Sequence, residues 1–253
     1  MSRPPRTQFP GAIYHVTARG NRKANIFLDD LDYLTWHNLV ERAADRFGFI
    51  GHAYCQMPNH YHLLLQTPVA NLSESMHFLN CLYSQQFNVR HELTGHVFQG
   101  RFHSVLLEQE THFLELTRYI TLNPVRAGLV PNAADWRWSN YRATAGLAAA
   151  PAWLDTEATR NRFHGLSESE RIRSYCDFVA NGVGAQDPLA APELPAVFGK
   201  QATQSAIAEA LRSGKYSPAE IARHFKVSAK TVKRLRETDH ALCSDEKNVH
   251  LGS

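Results

Sequence analysis

Two histidines separated by one residue, His60 and His62, have the spacing in this 253-residue sequence that most directly suggests chemistry. In a strand, residues two apart point the same way, so these imidazoles share one face with Leu64 and Gln66. Two imidazoles about 7 Å apart along a strand can converge on one cation. The pair alone is more often an exposed strand face that carries two polar residues, because a His-any-His triplet arises easily by chance.

A second candidate lies on the segment before Pro124. Polar residues recur there at helical spacing and form one stripe, and apolar residues form another stripe that would face the core; the polar set is His112, Glu115, Tyr119 and Asn123, and the apolar set is Phe113, Leu116 and Ile120. The pattern predicts a helix over 111–123, ended by the proline, which disfavours helical geometry at the residue before it. Alone, this stripe is the ordinary polar face of an amphipathic helix.

The order of the elements that must position these residues predicts the fold. Strands are expected at 12–18, 49–56, 61–66 and 102–108, and helices from 29 or 30 to about 47, from 71 or 73 to about 92, and over 111–123. This order indicates an α+β fold, a ferredoxin-like antiparallel sheet with helices packed on one face. The other face stays available for function.

Composition excludes several classes of protein. With 43% hydrophobic residues the chain is globular, and neither a membrane-length apolar run of about 18 residues nor the apolar stretch of a signal peptide is visible. We therefore expect a cytosolic protein without a membrane partner. Its four cysteines stand far apart with no Cys-x-x-Cys pair, which argues against a disulfide framework or a zinc knuckle.

The net charge of +3 is unevenly distributed. Residues 1–150 and 201–253 carry net charges of +2 and +3, whereas 151–200 carry −2, and 212–236 hold eight Lys and Arg against the single acid Glu220. That concentration is a candidate footprint for nucleic acid. Short helices predicted over 203–212, 217–225 and 228–236 indicate a small all-α helix-turn-helix domain. We expect its recognition helix to present Lys230, Lys233 and Arg234 to DNA.

Five motifs in order resemble the single-tyrosine HUH transposases. They are Pro-Gly-Ala-Ile-Tyr-His-Val-Thr-Ala-Arg-Gly-Asn at 10–21, Cys-Gln-Met-Pro-Asn-His-Tyr-His-Leu-Leu-Leu at 55–65, Phe-Gln-Gly-Arg-Phe-His-Ser at 98–104, Arg-Tyr-Ile-Thr-Leu-Asn-Pro-Val-Arg-Ala-Gly-Leu at 118–129, and Trp-Arg-Trp-Ser-Asn-Tyr at 136–141. The match is strongest with the branch associated with repetitive extragenic palindromes in bacterial genomes. The resemblance covers about residues 3–145. It favours a functional role for both the His60–His62 pair and the polar stripe that contains Tyr119.

The resemblance implies a chemistry for each site residue. His60, His62 and Asn123 would hold a divalent ion, Mg²⁺ or Mn²⁺, that polarises a scissile phosphate. Tyr119 would attack single-stranded DNA in a palindromic hairpin, leaving a 5′-phosphotyrosine and a free 3′-hydroxyl. The basic residues in or beside the motifs are candidates for phosphate contact, namely Arg19, Arg22, Lys23, Arg101 and Arg126. The protein would be a monomer or a homodimer, in which Tyr119 could come from the second chain.

Four regions follow from this reading. Residues 1–145 form the catalytic domain, 146–200 a linker and supporting helical region, 201–240 the helix-turn-helix domain, which would bind duplex DNA, and 241–253 a tail. A DNA-binding regulator that has kept the fold and lost catalysis is the competing interpretation. An RNA-binding module is a weaker third, because no aromatic RNA-stacking signature is evident.

Overall fold

A computed structural model describes residues 6–107, 111–164, 167–185 and 188, together with eight single positions between 207 and 232. The chain divides into two compact units, Met1–Pro188 and Leu189–Ser253. Among the described residues, no helix combines the length and the apolar character needed to cross a membrane.

The first unit alternates strands and helices in the predicted order. The strands are β1 (Ala12–Arg19), β2 (Ile50–Met57), β3 (His60–Thr67) and β4 (His103–Leu106). The helices are α1 (Asp30–Phe47), α2 (Leu72–Arg90), α3 (Thr111–Arg126), α4 (Tyr141–Thr144), α5 (Glu157–Arg160) and α6 (Glu168–Ala180). All strand pairs are antiparallel and the sheet order is β2-β3-β1-β4, which confirms the predicted ferredoxin-like sheet.

Helix α1 shows how local sequence sets an element. The Asp29 side chain accepts hydrogen bonds from the backbone N–H groups of Leu31 and Asp32, which caps the first turn. Gly48 ends the helix with φ at +71°, a left-handed conformation that glycine adopts without steric cost. Residues three and four apart on one side of the helix are buried, so α1 turns an apolar face to the sheet.

The main core lies between α1, α2 and one face of the sheet. Trp36 of α1 is fully buried, and its ring contacts Tyr54 of β2 and Tyr61 of β3. The hydroxyl of Tyr61 donates to Asn80 of α2 at 2.7 Å, so both helices meet the same face. Because successive strand residues point to opposite faces of the sheet, His60 and His62 face the side opposite Tyr61.

Helix α3 covers that opposite side. Its buried residues Phe113, Leu116 and Ile120 are the predicted apolar stripe. The ring of Phe113 packs edge-on against His52, whose β-bulge interrupts the pairing of β2 with β3. Helices α1 and α2 therefore form the helical layer predicted on one face of the sheet. Helix α3 lies on the other face and brings its polar stripe to the side that carries His60 and His62.

Later segments protect the outer edge of β2. The backbone of Trp138 to Asn140 bonds to Tyr54 and Gln56, and Gly51 exchanges backbone hydrogen bonds with Trp153 and Asp155, each of 2.8 Å. These contacts satisfy an edge that would otherwise present unpaired N–H and C=O groups. They also place the segment 136–141, one of the five motifs, against strand β2.

The region 146–200 contributes packing in its described part. Trp153 and Leu154 join the main core, and Tyr175 and Val179 of α6 are buried with Leu122 of α3. This part supports the helix that carries the candidate tyrosine. The boundaries at 145 and 200 stay predictions.

The second unit contains a small apolar cluster. Ile207, Ile221, Ala222, Phe225 and Val232 are buried together, with Leu211 and Val227 packed against them. Except for Val227, which lies between two of them, these residues fall in the three segments predicted to form short helices, 203–212, 217–225 and 228–236. The helix-turn-helix itself stays a prediction.

Candidate active site

The two histidines sit at the start of β3, directly after the Pro58-Asn59 turn. Their ring centroids are 5.0 Å apart and their planes are inclined by 75°, on the sheet face opposite Tyr61. His62 is 6% exposed, whereas His60 at the strand end is partly exposed. The strand geometry therefore brings two imidazoles together next to solvent.

Tyr119 lies against this pair in the same chain. Its ring centroid is 5.9 Å from that of His62, and the ring planes are perpendicular at 89°. The buried apolar stripe of α3 fixes the rotation of the helix, and Tyr119 follows from that rotation on the partly exposed side. The geometry places a phenol and two imidazoles around one small region.

The predicted end of α3 at Asn123 is wrong, because the helix continues through Pro124 to Arg126. A proline has no N–H, so the carbonyl of Ile120 loses its usual donor. The side-chain nitrogen of Asn123 lies 3.4 Å from that carbonyl oxygen and donates at 2.9 Å to the carbonyl oxygen of Tyr119. Asn123 thus helps the helix to pass the proline.

The helix ends one turn later at a glycine. The N–H of Gly128 donates to Val125 at 3.0 Å, and the N–H of Leu129 donates to Pro124 at 2.9 Å. This is a Schellman arrangement, and Gly128 has the left-handed φ of +67° that it requires. The segment Val-Arg-Ala-Gly-Leu is therefore the natural end of the tyrosine helix.

Both histidines are held in the neutral form. Burial lowers the pKa of His60 to about 4, and the nearby charge of Arg19 adds to the effect. Burial also lowers the pKa of His62 well below its usual value, helped by His15 and His60. Neutral imidazoles carry the lone pairs that a metal ion needs.

Hydrogen bonds orient these imidazoles. Nδ1 of His60 lies 2.6 Å from Oδ1 of Asn59, whose Nδ2 donates to the carbonyl of Lys23 at 3.2 Å. Since Oδ1 only accepts, His60 carries its proton on Nδ1 and keeps the lone pair on Nε2. Nδ1 of His62 lies 2.9 Å from Nε2 of His15, and Nε2 of His62 is buried without a hydrogen-bond partner among the described residues.

This donor set fits a divalent cation. An orphaned buried nitrogen on His62 and a lone pair on His60 supply two imidazole ligands. In the part of the chain that the structure describes, no group of three or more His, Cys, Asp and Glu residues could hold a metal ion. Further ligands would have to come from an amide oxygen such as Oδ1 of Asn123, from water or from substrate.

Arg126 interacts with Tyr119. Its guanidinium lies 4.9 Å from the centre of the Tyr119 ring and donates to the carbonyl of Ala185 at 2.8 Å. The positive charge therefore lies against the phenol face. This position differs from that of an isolated surface arginine.

The other basic residues occupy two kinds of place. Arg19 is opposite His60 in the β1–β3 register, and directly opposed residues share one sheet face, so its charge borders the site. Arg22 and Lys23 are exposed in a short 3-10 segment with φ values of +54° and +63°. Arg101 is exposed and lines a cleft of about 730 Å³ beside α2. Lys230, Lys233 and Arg234 lie outside the described residues.

The sequence pattern missed His15. It stands opposite Leu64 in the register and diagonal to His62, which the sequence could not reveal without the strand pairing. His15 lies two residues before Thr17, which pairs with His62. Residues two apart share a face, so His15 and His62 can be placed on one face only when the register is known.

Comparison with known proteins indicates which class the chain resembles. Residues 8–123 match the family model described as IS200-like transposases. Within that class the predicted resemblance to the REP-associated tyrosine transposases is confirmed. A REP-associated tyrosine transposase of Haemophilus influenzae is 25% identical over 143 residues, which are 52% of this chain and 80% of the relative.

A solved structure shows the same fold. It is a REP-associated tyrosine transposase bound to a REP hairpin, with a TM-score of 0.50 and 21% identity, and the match covers 60% of this chain and 89% of the other.

Proposed function

We propose that this protein is a metal-dependent nickase and strand transferase that acts on single-stranded DNA in palindromic hairpins. The observation that carries the proposal is the placement of Tyr119 against His62, with His60 beside it, on one face of a single chain. The family of residues 8–123 supports DNA transposition as the process. The hairpin substrate follows from the solved relative, which holds a REP hairpin.

Tyr119 is the nucleophile in this proposal. Its hydroxyl oxygen attacks the scissile phosphorus and forms a tyrosine–phosphorus bond as the bond to the 3′-oxygen breaks. The phenol loses its proton and the 3′-oxygen gains one, so the products are a 5′-phosphotyrosine and a free 3′-hydroxyl. The energy of the phosphodiester is kept in the covalent intermediate, and rejoining needs no nucleotide cofactor.

His60 and His62 bind Mg²⁺ or Mn²⁺ in this proposal, with Asn123 as the third protein ligand. When bound, the ion supplies a Lewis acid that polarises the scissile phosphate. The residues of the chain supply the rest: buried strands hold the two imidazoles neutral, and the α3 helix presents the phenol beside them. The guanidinium of Arg126 stabilises negative charge that develops on the phenol.

The DNA path follows from the basic residues. Arg19 borders the site, and Arg22 and Lys23 are exposed on the adjoining segment, so we assign them to the phosphates next to the cleaved bond. Arg101 is exposed in the cleft beside α2 and is assigned to the hairpin stem. Duplex binding by Lys230, Lys233 and Arg234 belongs to the proposal for the second unit.

A covalent-adduct assay tests the function. The full chain is incubated with a hairpin oligonucleotide labelled at its 3′ end, the part that stays bound to the tyrosine, and with Mn²⁺ or Mg²⁺, and the products are separated under denaturing conditions. We expect a labelled protein band that forms only with the metal, does not form when a chelator is present from the start, and falls at least a hundredfold in His62→Ala. A protein that binds the hairpin tightly yet never yields an adduct would instead be a DNA-binding regulator.

A further inference from the structure

We propose that His15 is a positioning residue that sets the tautomer of His62 and so directs its Nε2 lone pair to the metal. The inference rests on the proposed function, because it gives His62 the role of a metal ligand. His15 itself lies one hydrogen bond away from that ligand. Nothing in the motif pattern assigns it a task.

The geometry of the histidine pair is that of an in-plane hydrogen bond. Nε2 of His15 and Nδ1 of His62 are 2.9 Å apart, the two ring planes differ by 3°, and the centroids are 5.1 Å apart. The nitrogen-to-nitrogen vector thus runs along the line of centres, and the rings meet edge to edge. Such alignment is optimal for an N–H donor and a ring lone pair.

Burial makes the hydrogen bond selective. His15 is 4% exposed and His62 is 6% exposed, so water does not compete easily for these nitrogens. A neutral imidazole carries one proton. If that proton is on Nδ1 of His62, it is donated to His15; if it is on Nε2, a buried N–H is left without a partner among the described residues. The second arrangement costs about 1–3 kcal/mol.

His60, the other candidate ligand, is oriented in the same way by a different partner. Asn59 fixes the proton of His60 on Nδ1, and His15 fixes the proton of His62 on Nδ1. Both imidazoles then offer Nε2 on the same side of the sheet. Orienting partners of this kind raise metal affinity by holding ligands in the binding tautomer.

The first test measures the tautomer in metal-free protein without DNA. Two-bond ¹H–¹⁵N spectra at pH 7.5, with His62 assigned by its loss in His62→Asn, report which nitrogen carries the proton. We expect the Nδ1–H form in the wild type, the same form in His15→Gln, whose amide oxygen can accept the bond, and a mixture in His15→Leu. A wild-type His62 protonated on Nε2 would overturn the inference.

The second test measures Mn²⁺ affinity by titration. We expect about tenfold weaker binding in His15→Leu and a change below about threefold in His15→Gln. His77→Gln is the matched control, since this exposed histidine lies on α2 across the sheet. Wild-type affinity in a folded His15→Leu would also overturn the inference.

The two tests separate this inference from the proposed function. If the wild type fails to bind Mn²⁺, the metal-dependent function fails, whereas the tautomer spectrum still decides the role of His15. If His15→Leu does not fold, the wild-type spectrum and His15→Gln decide it.

Discussion

Asn123 connects the proposed metal site to the helix that carries the nucleophile. Its nitrogen donates to carbonyls of Tyr119 and Ile120, which leaves Oδ1 as the atom that can face a cation. The two ends of one amide therefore have separable roles. A substitution that changes only one end can distinguish them.

Asn123→Asp makes that change. The aspartate is a stronger ligand but cannot donate to the helix carbonyls, so we expect Mn²⁺ affinity to rise several-fold and the free energy of unfolding to fall by about 1 kcal/mol. Calorimetric titration and urea unfolding measure the two effects. Unchanged metal affinity would remove Asn123 from the ligand set, and Asn123→Ala, which loses both ends, is the control.

Arg126 provides a second residue-scale prediction. Arg126→Gln removes the charge over the Tyr119 ring while an amide can still donate to Ala185, so we expect adduct formation at saturating hairpin to slow about tenfold. Hairpin affinity should change less than twofold. For Arg101→Gln we expect the opposite result, with weaker hairpin binding and an unchanged maximal rate of adduct formation. A loss confined to affinity in Arg126→Gln would make it a phosphate contact.

The residues that could be predicted from sequence are those whose spacing carries the signal. His60 and His62 share a strand face by alternation, and Tyr119 lies on the polar stripe of its helix. The role of His15 could not be predicted, because His15 contacts His62 diagonally across two paired strands. The two residues are 47 positions apart in the sequence. The unbroken helix at Pro124 depends on a side-chain donor that periodicity does not report.

At the scale of elements, the strands and helix α1 hold several neutral histidines that are buried or partly buried. Burial lowers the pKa of His37 and of His60 to about 4, and it also lowers the pKa of His52 and His62. In the unfolded chain these groups take up protons near their ordinary pKa of 6.5. The unfolded state therefore binds more protons than the folded state as the pH falls below that value.

This difference in proton binding predicts how the free energy of unfolding depends on pH. The free energy of unfolding should change little between about pH 7.5 and pH 8 and should decline as the pH falls from 6.5 toward 4, by on the order of 1–2 kcal/mol for each of His37 and His60 at pH 5. Urea unfolding at pH 7.5 and pH 5 measures it. His37→Gln should flatten the decline by its own share, and equal stability at the two pH values would contradict the neutral buried state.

The edge of β2 gives a prediction about packing. A Cβ on Gly51 would lie 2.5 Å from two ring carbons of Trp153, so Gly51→Ala should lower the free energy of unfolding by about 1–3 kcal/mol. Gly184→Ala is the control, because a Cβ there meets nothing within 4 Å. Thermal and urea unfolding compare the two variants. Equal stability would mean that the segment 153–155 does not pack on the strand as described.

The order of elements was predictable because hydrophobic period and turn residues are local signals. The side of the sheet that α3 occupies was not, because it depends on the match between its apolar stripe and the bulged surface around His52. The role of 136–141 as an edge cover also required the folded contacts, since no local pattern pairs Asn140 with Tyr54.

At the scale of the whole molecule, the small net charge of +3 combines unlike parts. In the first unit, Arg19 borders the sheet face that carries two histidines and Arg126 lies against Tyr119 of α3, whereas the predicted DNA-binding charge of the second unit is concentrated in 212–236. The tyrosine and the histidines of one chain already meet, so this arrangement does not require Tyr119 from a second chain. We therefore expect Tyr119 of one chain to form the covalent bond with DNA beside the histidines of that same chain.

The covalent site tests that claim most directly. The full chain is incubated with hairpin DNA and Mn²⁺, the adduct is digested with nuclease and trypsin, and mass spectrometry locates the nucleotide. Trypsin cuts after Arg118 and Arg126, and the peptide 119–126 contains Tyr119 as its only tyrosine. We predict a nucleotide on this peptide and none in Tyr119→Phe. A nucleotide on any other residue, or an undiminished adduct in Tyr119→Phe, would contradict the account.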